Sequence, residues 1–245
     1  MSQTRIRKAV VLAAGKGRRM AELTRTLPKP LLSVAGRPLL HHVLEGLRQA
    51  GIEQMATVIG HCGEQIRDSL AGGPWPVTLI EQQEVDGTGS ATLLAREFVA
   101  GEPFLLTFGD ILAPAQDYRG AAAALAPGVC AVLGVHPVDD PHRGAAVYEE
   151  QGRVWRIVEK PAPGSSTTHW NSAGIYAFTP EIFSYLEHIP RSPRGEYELT
   201  SAIESMLAAG REVRIYVLTG YWLDVGRPED LQAAEALLLR HSQLE

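Results

Sequence analysis

A Rossmann-like α/β fold, with a mixed and mainly parallel sheet flanked by helices and an antiparallel β insertion in the second half, is predicted by three observations. Short β-rich apolar runs alternate with helical patterns through the first half, the sign of βαβ units. The rhythm changes after residues 130–135, where two β-rich runs flank Gln151-Gly152 as the arms of a hairpin flank its turn. At 245 residues, 45% of them hydrophobic and 21% charged, the chain is long enough to bury such a core.

Taken in order, residues 9–13 make the first strand. Pro38 opens a helix whose Leu39, Leu40, Val43, Leu44 and Leu47 share one face before Gly51 stops it. Residues 57–59 form a strand, 64–70 a short helix, 77–80 a strand, 90–98 a helix, and 104–107 a strand ending at Gly109-Asp110. In the second half, 130–135 is a strand and 145–148 and 154–158 are the hairpin. Residues 174–178 form a strand, 198–209 a helix, 213–217 a strand and 228–240 the final helix. Residues 161–168, rich in Pro, Gly, Ser and Thr, read as a mobile loop beside a site, because the apolar strands on either side need a common sheet. The expectation is one domain over 1–245.

Charge and cysteine usage narrow the function. A formal net charge of -5 argues against a nucleic-acid binder relying on phosphate attraction, so any anion site is local. Cys62 and Cys130 form no CxxC pair, which signals neither a disulfide framework nor a zinc site and fits a reducing cytoplasm. Arg5, Arg7 and Lys8 ahead of AVVLAAG imitate a signal peptide, but the apolar run is short and reads as a buried strand. No run approaches the ~20 apolar residues a membrane span requires.

The stretch LAAGKGRRMAELTRTLPKPLL, from Leu12, places two glycines and several cations directly after the first strand. The third glycine of a dinucleotide GxGxxG would fall at Met20, and the acidic residue expected after strand two is missing, since that strand ends in Gly60-His61. A P-loop fails as well, because no Lys-Ser or Lys-Thr follows a spaced glycine pair. What remains is another phosphate loop, with exposed backbone N–H groups around a polyphosphate and charge-assisted contacts from Arg18, Arg19 and Lys29. The bland alternative is a solvated basic turn.

With its GxGxR and PKPL elements, this opening resembles that of the sugar-1-phosphate nucleotidylyltransferases, the NDP-sugar pyrophosphorylases. The resemblance continues through QQEVDGTGSA from Gln82, FGDIL from Phe108, RIVEKP from Arg156, SAGIYAF from Ser172, GEYELTSAI from Gly195 and WLDVGRPEDL from Trp222. These motifs, in the same order as in the family, cover nearly the whole chain. The core looks like those of glucose-1-phosphate thymidylyltransferases and N-acetylmuramate/mannose-1-phosphate nucleotidyltransferases.

The resemblance implies the nucleotide-diphospho-sugar transferase fold, with an NTP-binding half over about 1–130 and a sugar-phosphate half, carrying the β insertion, over about 131–245. It implies condensation of an NTP, UTP or dTTP, with a sugar 1-phosphate, releasing pyrophosphate with the help of Mg²⁺. Ala13, Ala14, Gly15, Gly17, Gln82, Gly87 and Thr88 would then bind the nucleotide, with Gln82 reading the base. Arg19 and Lys29 would face its phosphates as catalytic cations. Attack on the α-phosphorus brings two anions together, so cations must screen the approach and the leaving group.

Asp110 and Asp224 match the family's metal-holding carboxylates, a hard oxygen pair suited to Mg²⁺. Asp110 also follows a strand, where the carboxyl ends of parallel strands meet ligands, although an Asp there is as often a turn or helix cap. Gly144, Glu159, Lys160 and Ser172 would bind the sugar phosphate, with Lys160 as a third catalytic cation. Without the resemblance, Glu159-Lys160 reads as an exposed ion pair on a β-ribbon. Ser172 stands where many relatives have Asn, with Asn171 one step earlier. His41 and His42 diverge on their helix and predict no shared metal site. Trp222 reads equally as ligand stacking or wall packing, and Glu198 as site rim or helix cap. The rival functions are a CTP-dependent cytidylyltransferase acting on another phosphorylated alcohol such as phosphocholine, and a noncatalytic nucleotide-sugar sensor. Partners beyond the substrates, whether a monomer or a homo-oligomer, are not implied.

Overall fold

The computed structural model describes residues 5–242. Strand β1 (Lys8–Leu12) is buried along its whole length and opens into the glycine loop, which a 3-10 turn at Arg18–Thr24 closes. A small hairpin that hydrophobic periodicity does not predict, β2 (Ser33–Val34) and β3 (Arg37–Pro38), leads into α1 (Leu39–Gln49). The five predicted apolar residues of α1 are all buried, and the helix stops before Gly51, whose φ of +92° favours glycine. Strand β4 (Gln54–Ile59), helix α2 (Gly63–Leu70) and strand β5 (Val77–Glu81) follow.

The helix predicted over 90–98 is two pieces, α3 (Thr88–Leu93) and α4 (Arg96–Val99). Thr92 bonds its hydroxyl back to the Thr88 carbonyl at 2.7 Å, and the Ala95 N–H turns to Thr92 O at 3.0 Å, an i+3 bond that tightens and ends the first piece. Strand β6 (Phe104–Phe108) comes next. Strand β7 (Ile111–Leu112) and helix α5 (Ala115–Ala124) lack predictive patterns, since one is too short and the other is mostly alanine.

The second half begins with β8 (Ala131–Pro137). The hairpin of β9 (Ala145–Glu150) and β10 (Arg153–Glu159) is antiparallel as predicted, and its turn puts Gln151 and Gly152 at φ +52° and +80°, the paired positive values of a type I′ turn. Strand β11 (Trp170–Phe178), helices α6 (Ile182–Leu186) and α7 (Leu199–Ala208), strands β12 (Val213–Val217) and β13 (Leu223–Asp224), and helix α8 (Pro228–Ser242) complete the chain.

One nine-stranded sheet carries both halves, in the order β5-β4-β1-β6-β11-β8-β12-β10-β9. It is parallel from β5 to β6, antiparallel on both sides of β11, and parallel again between β8 and β12. Apolar layers cover both faces, and a third cluster seats α8 against Met20, Leu39, Leu112 and Val225. The segment before β13 is fastened to the sheet by Trp222. Its indole stacks on His136 of β8 at 3.7 Å between ring centroids, and its Nε1 donates to Ala173 O at 2.7 Å. His136 Nε2 lies 3.0 Å from Asn171 Nδ2, an amide donor, so the ring accepts there as the neutral base.

Burial lowers the His136 pKa to about 4, while an unfolded histidine titrates near 6.5. The folded state therefore binds fewer protons in this range, and the stability held by neutral His136 is complete above about pH 6.5 and lost as pH falls toward 4. Solvent still reaches part of the ring and screens the effect, so from about pH 7.5 to about pH 5 the loss attributable to this residue is about 1 kcal/mol. Urea unfolding at the two pH values should show His136→Gln with a correspondingly smaller pH dependence. A variant as acid-sensitive as the parent would contradict this assignment.

Candidate functional site

A cavity of about 630 Å³ opens where β6 ends, and Arg19, Asp110, Glu159, Lys160, Trp222 and Asp224 are among the side chains lining it. Asp110 leaves β6 through Gly109, where a Cβ would stand 3.2 Å from Ala13, so the carboxylate emerges beside the first loop. Asp224 arrives from the opposite direction. Strand β13 pairs antiparallel with β7, with Asp224 opposite Ile111, and the Val225 N–H donates to Asp110 O at 3.1 Å.

The two carboxylates converge on a single cation. The Lys29 ammonium is buried, donates to Asp110 Oδ2, and lies 3.6 Å from Asp224 Oδ1. Burial first, and the neighbouring Asp110 charge second, raise the Asp224 pKa, with Lys29 and Arg19 opposing them. Two like charges held this close call for a counter-cation. Among the described residues, no group of three or more His, Cys, Asp or Glu side chains forms a complete metal cage. A pair of carboxylates is instead the donor set that suits Mg²⁺ when phosphate oxygens and waters fill the remaining positions, so the residues fit that ion.

In the loop after β1, Gly17 adopts φ +61° with Thr24 packed where a Cβ would stand, while Gly15 faces open space. Thr24 bonds its hydroxyl to Gly17 O at 2.9 Å and closes the loop. Ala13 and Ala14 are buried beneath it. The Ala13 N–H is spent on Val58 O, so Ala13 offers no free amide to a phosphate, and Ala14 O accepts from His61 N. Arg19 is exposed and reaches the cavity, with its guanidinium near Gly226.

Gln82 is buried and Gln83 exposed, the alternation expected of an extended segment. The Gln82 Nε2 faces Gly87 O at 3.2 Å, Ser90 Oγ at 3.1 Å and Asp86 Oδ1 at 3.4 Å. A carbonyl and a carboxylate only accept, which fixes the amide's orientation and leaves Oε1 as its remaining polar atom. Gly87 must be glycine, because a Cβ would stand 2.2 Å from Tyr197 O. Thr88 lines the cavity, and its Oγ1 accepts from Leu199 N at 3.0 Å.

At the other end of the cavity, Lys160 sits at φ +42°, an uncommon value for a side-chain-bearing residue, and its N–H donates to Gly144 O at 2.7 Å. Its ammonium is half exposed, 3.8 Å from Glu159. Burial raises the Glu159 pKa, and Lys160 and Arg194 oppose the shift. A Cβ on Gly144 would stand 2.3 Å from Asn171 Oδ1. Asn171 and Ser172 both line the cavity, but Ser172 Oγ is engaged by Tyr176 OH at 2.7 Å.

Arg194 is the main site-adjacent residue that sequence reasoning missed. It binds Glu198 through Nε and Nη2 at 3.0 and 2.8 Å and lies 3.5 Å from Glu159, tying the GEYEL segment to the EKP segment. Its signal was the Arg-x-x-x-Glu spacing ahead of α7. Glu198 occupies the N-cap position of α7 but turns its side chain to Arg194 instead of capping. His41 and His42 do diverge, to Ser69 Oγ and Val34 O. The 161–168 loop is tied back to the site by the Gly164 N–H, which donates to Asp140 at 2.8 Å.

A family model described as Nucleotidyl transferase matches residues 8–241. The chain is 32% identical over 243 residues to the low-salt glycan biosynthesis nucleotidyltransferase Agl11 of Haloferax volcanii, a match covering 97% of this chain and 68% of that protein. It is 33% identical over 245 residues to the UTP--glucose-1-phosphate uridylyltransferase AglF of the same organism, covering 94% and 96%. It spans about half, 54%, of several bifunctional relatives. In fold it is similar to a solved UDP-glucose pyrophosphorylase complexed with UDP-glucose, with a TM-score of 0.86 over 96% of this chain and 99% of that one, at 22% identity. A phosphate-type glycine loop, two carboxylates converging on one cation and matches along nearly the whole chain agree: the chain belongs to the nucleotidyl transferase family, among the sugar-1-phosphate nucleotidylyltransferases.

Proposed function

We propose that this chain condenses UTP or dTTP with a sugar 1-phosphate to give an NDP-sugar and pyrophosphate. The observation that carries the reading is the convergence of Asp110 and Asp224 on Lys29, in a cavity that Arg19, Glu159 and Lys160 also line. In this reading a sugar-phosphate oxygen forms the new bond to the α-phosphorus while the bond to the bridging oxygen of pyrophosphate breaks. No covalent enzyme intermediate is needed. Arg19 screens the triphosphate, Lys160 the sugar phosphate, and Glu159 accepts hydrogen bonds from sugar hydroxyls. Asp110 and Asp224 hold Mg²⁺, which when bound neutralises phosphate charge. Lys29, released from the carboxylates, turns toward the triphosphate.

The pyrimidine assignment rests on Gln82. With its amide N–H groups engaged within the loop, the acceptor Oε1 is left for the base. The ring N3–H of uracil or thymine donates to such an acceptor, whereas N3 of cytosine is itself an acceptor and would be left unpaired. That difference favours UTP or dTTP over the CTP-dependent alternative.

Pyrophosphate release measured across the common NTPs and a panel of sugar 1-phosphates tests the function. UTP or dTTP should lead, and Gln82→Leu should reduce the preference over CTP by at least about tenfold. An unchanged preference would remove Gln82 from base reading. Asp110→Asn and Asp224→Asn should each lower turnover at least ~100-fold with the fold intact by circular dichroism. Near-normal Mg²⁺-dependent turnover in either variant would remove that residue from the metal site. Lys29→Met should act in two directions. Without nucleotide it should bind Mn²⁺ about tenfold more tightly, because a competing cation is gone, yet with both substrates it should use NTP poorly. Mn²⁺ affinity at or below the parent's would mean that Lys29 does not compete for these carboxylates.

A further inference from the structure

Asp117 lies in the first turn of α5, on the far side of the segment that carries Asp224, and is completely buried. A carboxylate in such a place needs compensation. Among the described residues no cation pairs with it. Its oxygens accept instead from the Thr219 N–H at 2.9 Å, Thr219 Oγ1 at 3.1 Å, Tyr216 OH at 3.2 Å and the Gly220 N–H at 3.0 Å. The positive end of α5 adds to this. All four donors lie between Tyr216 and Gly220, and the approach is specific: a Cβ on Gly220 would stand 2.3 Å from Pro114 Cγ and 2.9 Å from Asp117 Oδ2.

The topology gives this contact its consequence. Asp110 precedes β7, and β7 leads through Pro114 into α5 and Asp117. Gly220 leads through Trp222 into β13 and Asp224, and β13 pairs back onto β7. The two carboxylate-bearing segments therefore form a closed loop whose far end is the Asp117 contact. The β7–β13 ladder is only two residues long, too short to hold its own register. Beyond Asp224, Asp230 accepts from the Gly226 and Arg227 N–H groups at 2.8 and 2.7 Å and fastens the other end of the arm.

We propose that Asp117 is a positioning residue which, without touching any ligand, clamps the Gly220–Asp224 arm so that Asp224 faces Asp110 at the spacing a divalent cation requires. This rests on the metal-site reading of Asp110 and Asp224 given above. A carboxylate that only stabilised α5 would affect unfolding and leave the cation site alone.

The test is Mn²⁺ binding to the full chain without nucleotide, followed by electron paramagnetic resonance. Asp117→Asn keeps the shape but loses the charge and sets an amide donor against backbone donors, and it should weaken Mn²⁺ binding about tenfold while metal-free NTP binding stays unchanged. Ala121→Gly destabilises the same helix without removing any donor to Asp117 and should leave Mn²⁺ affinity as in the parent. If Asp117→Asn does not fold, the double variant Tyr216→Phe/Thr219→Val, which removes only hydroxyl donors, should weaken binding about threefold. Parent-like affinity in folded Asp117→Asn, or in the double variant, overturns the clamp, as does equal weakening by Ala121→Gly. Parent affinity unaffected by Asp110→Asn would instead sink the metal-site reading, and the clamp with it.

Discussion

Strand β11 runs antiparallel between β6 and β8, and its irregularity shapes the site. The register shifts between Ser172 and Tyr176. Ser172, Gly174 and Tyr176 share a face by the ordinary alternation of a strand, whereas the irregularity lets Asn171 and Ala173, of the opposite parity, line the same cavity. Gly174, at φ +69°, has the Phe108 ring 2.7 Å from where a Cβ would stand, so the backbone bends there only as glycine. The freed carbonyl of Ala173 then receives the Trp222 indole. That hydrogen bond joins the β7–β13 pairing and the Asp117 contacts in holding the arm bearing Asp224 beside the strand that delivers Asp110.

The electrostatics of the site follow from this crowding. The chain is acidic overall, at -5, yet three of the carboxylates that line the cavity are met by cations: Asp110 and Asp224 by Lys29, and Glu159 by Lys160 and Arg194. Burial works against the charges of Glu159 and Asp224, and their raised pKa values record that cost. Pairing offsets it, which is why the opposite charges sit within a few ångströms of each other.

Two linked segments coordinate the ends of the cavity. GEYEL touches the loop after Gln82 through Tyr197, whose N–H bonds Asp86 O and whose O accepts from Gly89, and through Glu198 it holds Arg194, which reaches Glu159. Gly87 is pressed on the same stretch. The arm from Gly220 to Asp230 performs the equivalent task for the carboxylates, held by one buried aspartate at its start and one helix-capping aspartate at its end.

By itself the sequence determined the strands and helices whose patterns are long and apolar: β1, α1, the β9–β10 hairpin with its Gln151-Gly152 turn, and β12. Its motifs placed Arg19, Lys160, Glu159, Asp110 and Asp224 around one chemistry, and the structure brings these five to one cavity. Local pattern suffices there because periodicity and turn geometry act over a few residues. The tertiary structure alone decided the rest. Helix α5 carries almost no apolar contrast, β7 and β13 are two residues each, and the break within 90–98 comes from a threonine hydroxyl competing for a carbonyl. Lys29 against both aspartates, Arg194 across to Glu159, and Asp117 under the Gly220 arm join residues roughly 35 to 195 positions apart. Such pairs depend on where the bulged β11 sets the sheet order, and no short-range pattern in a chain encodes a contact that only the packing of distant strands creates.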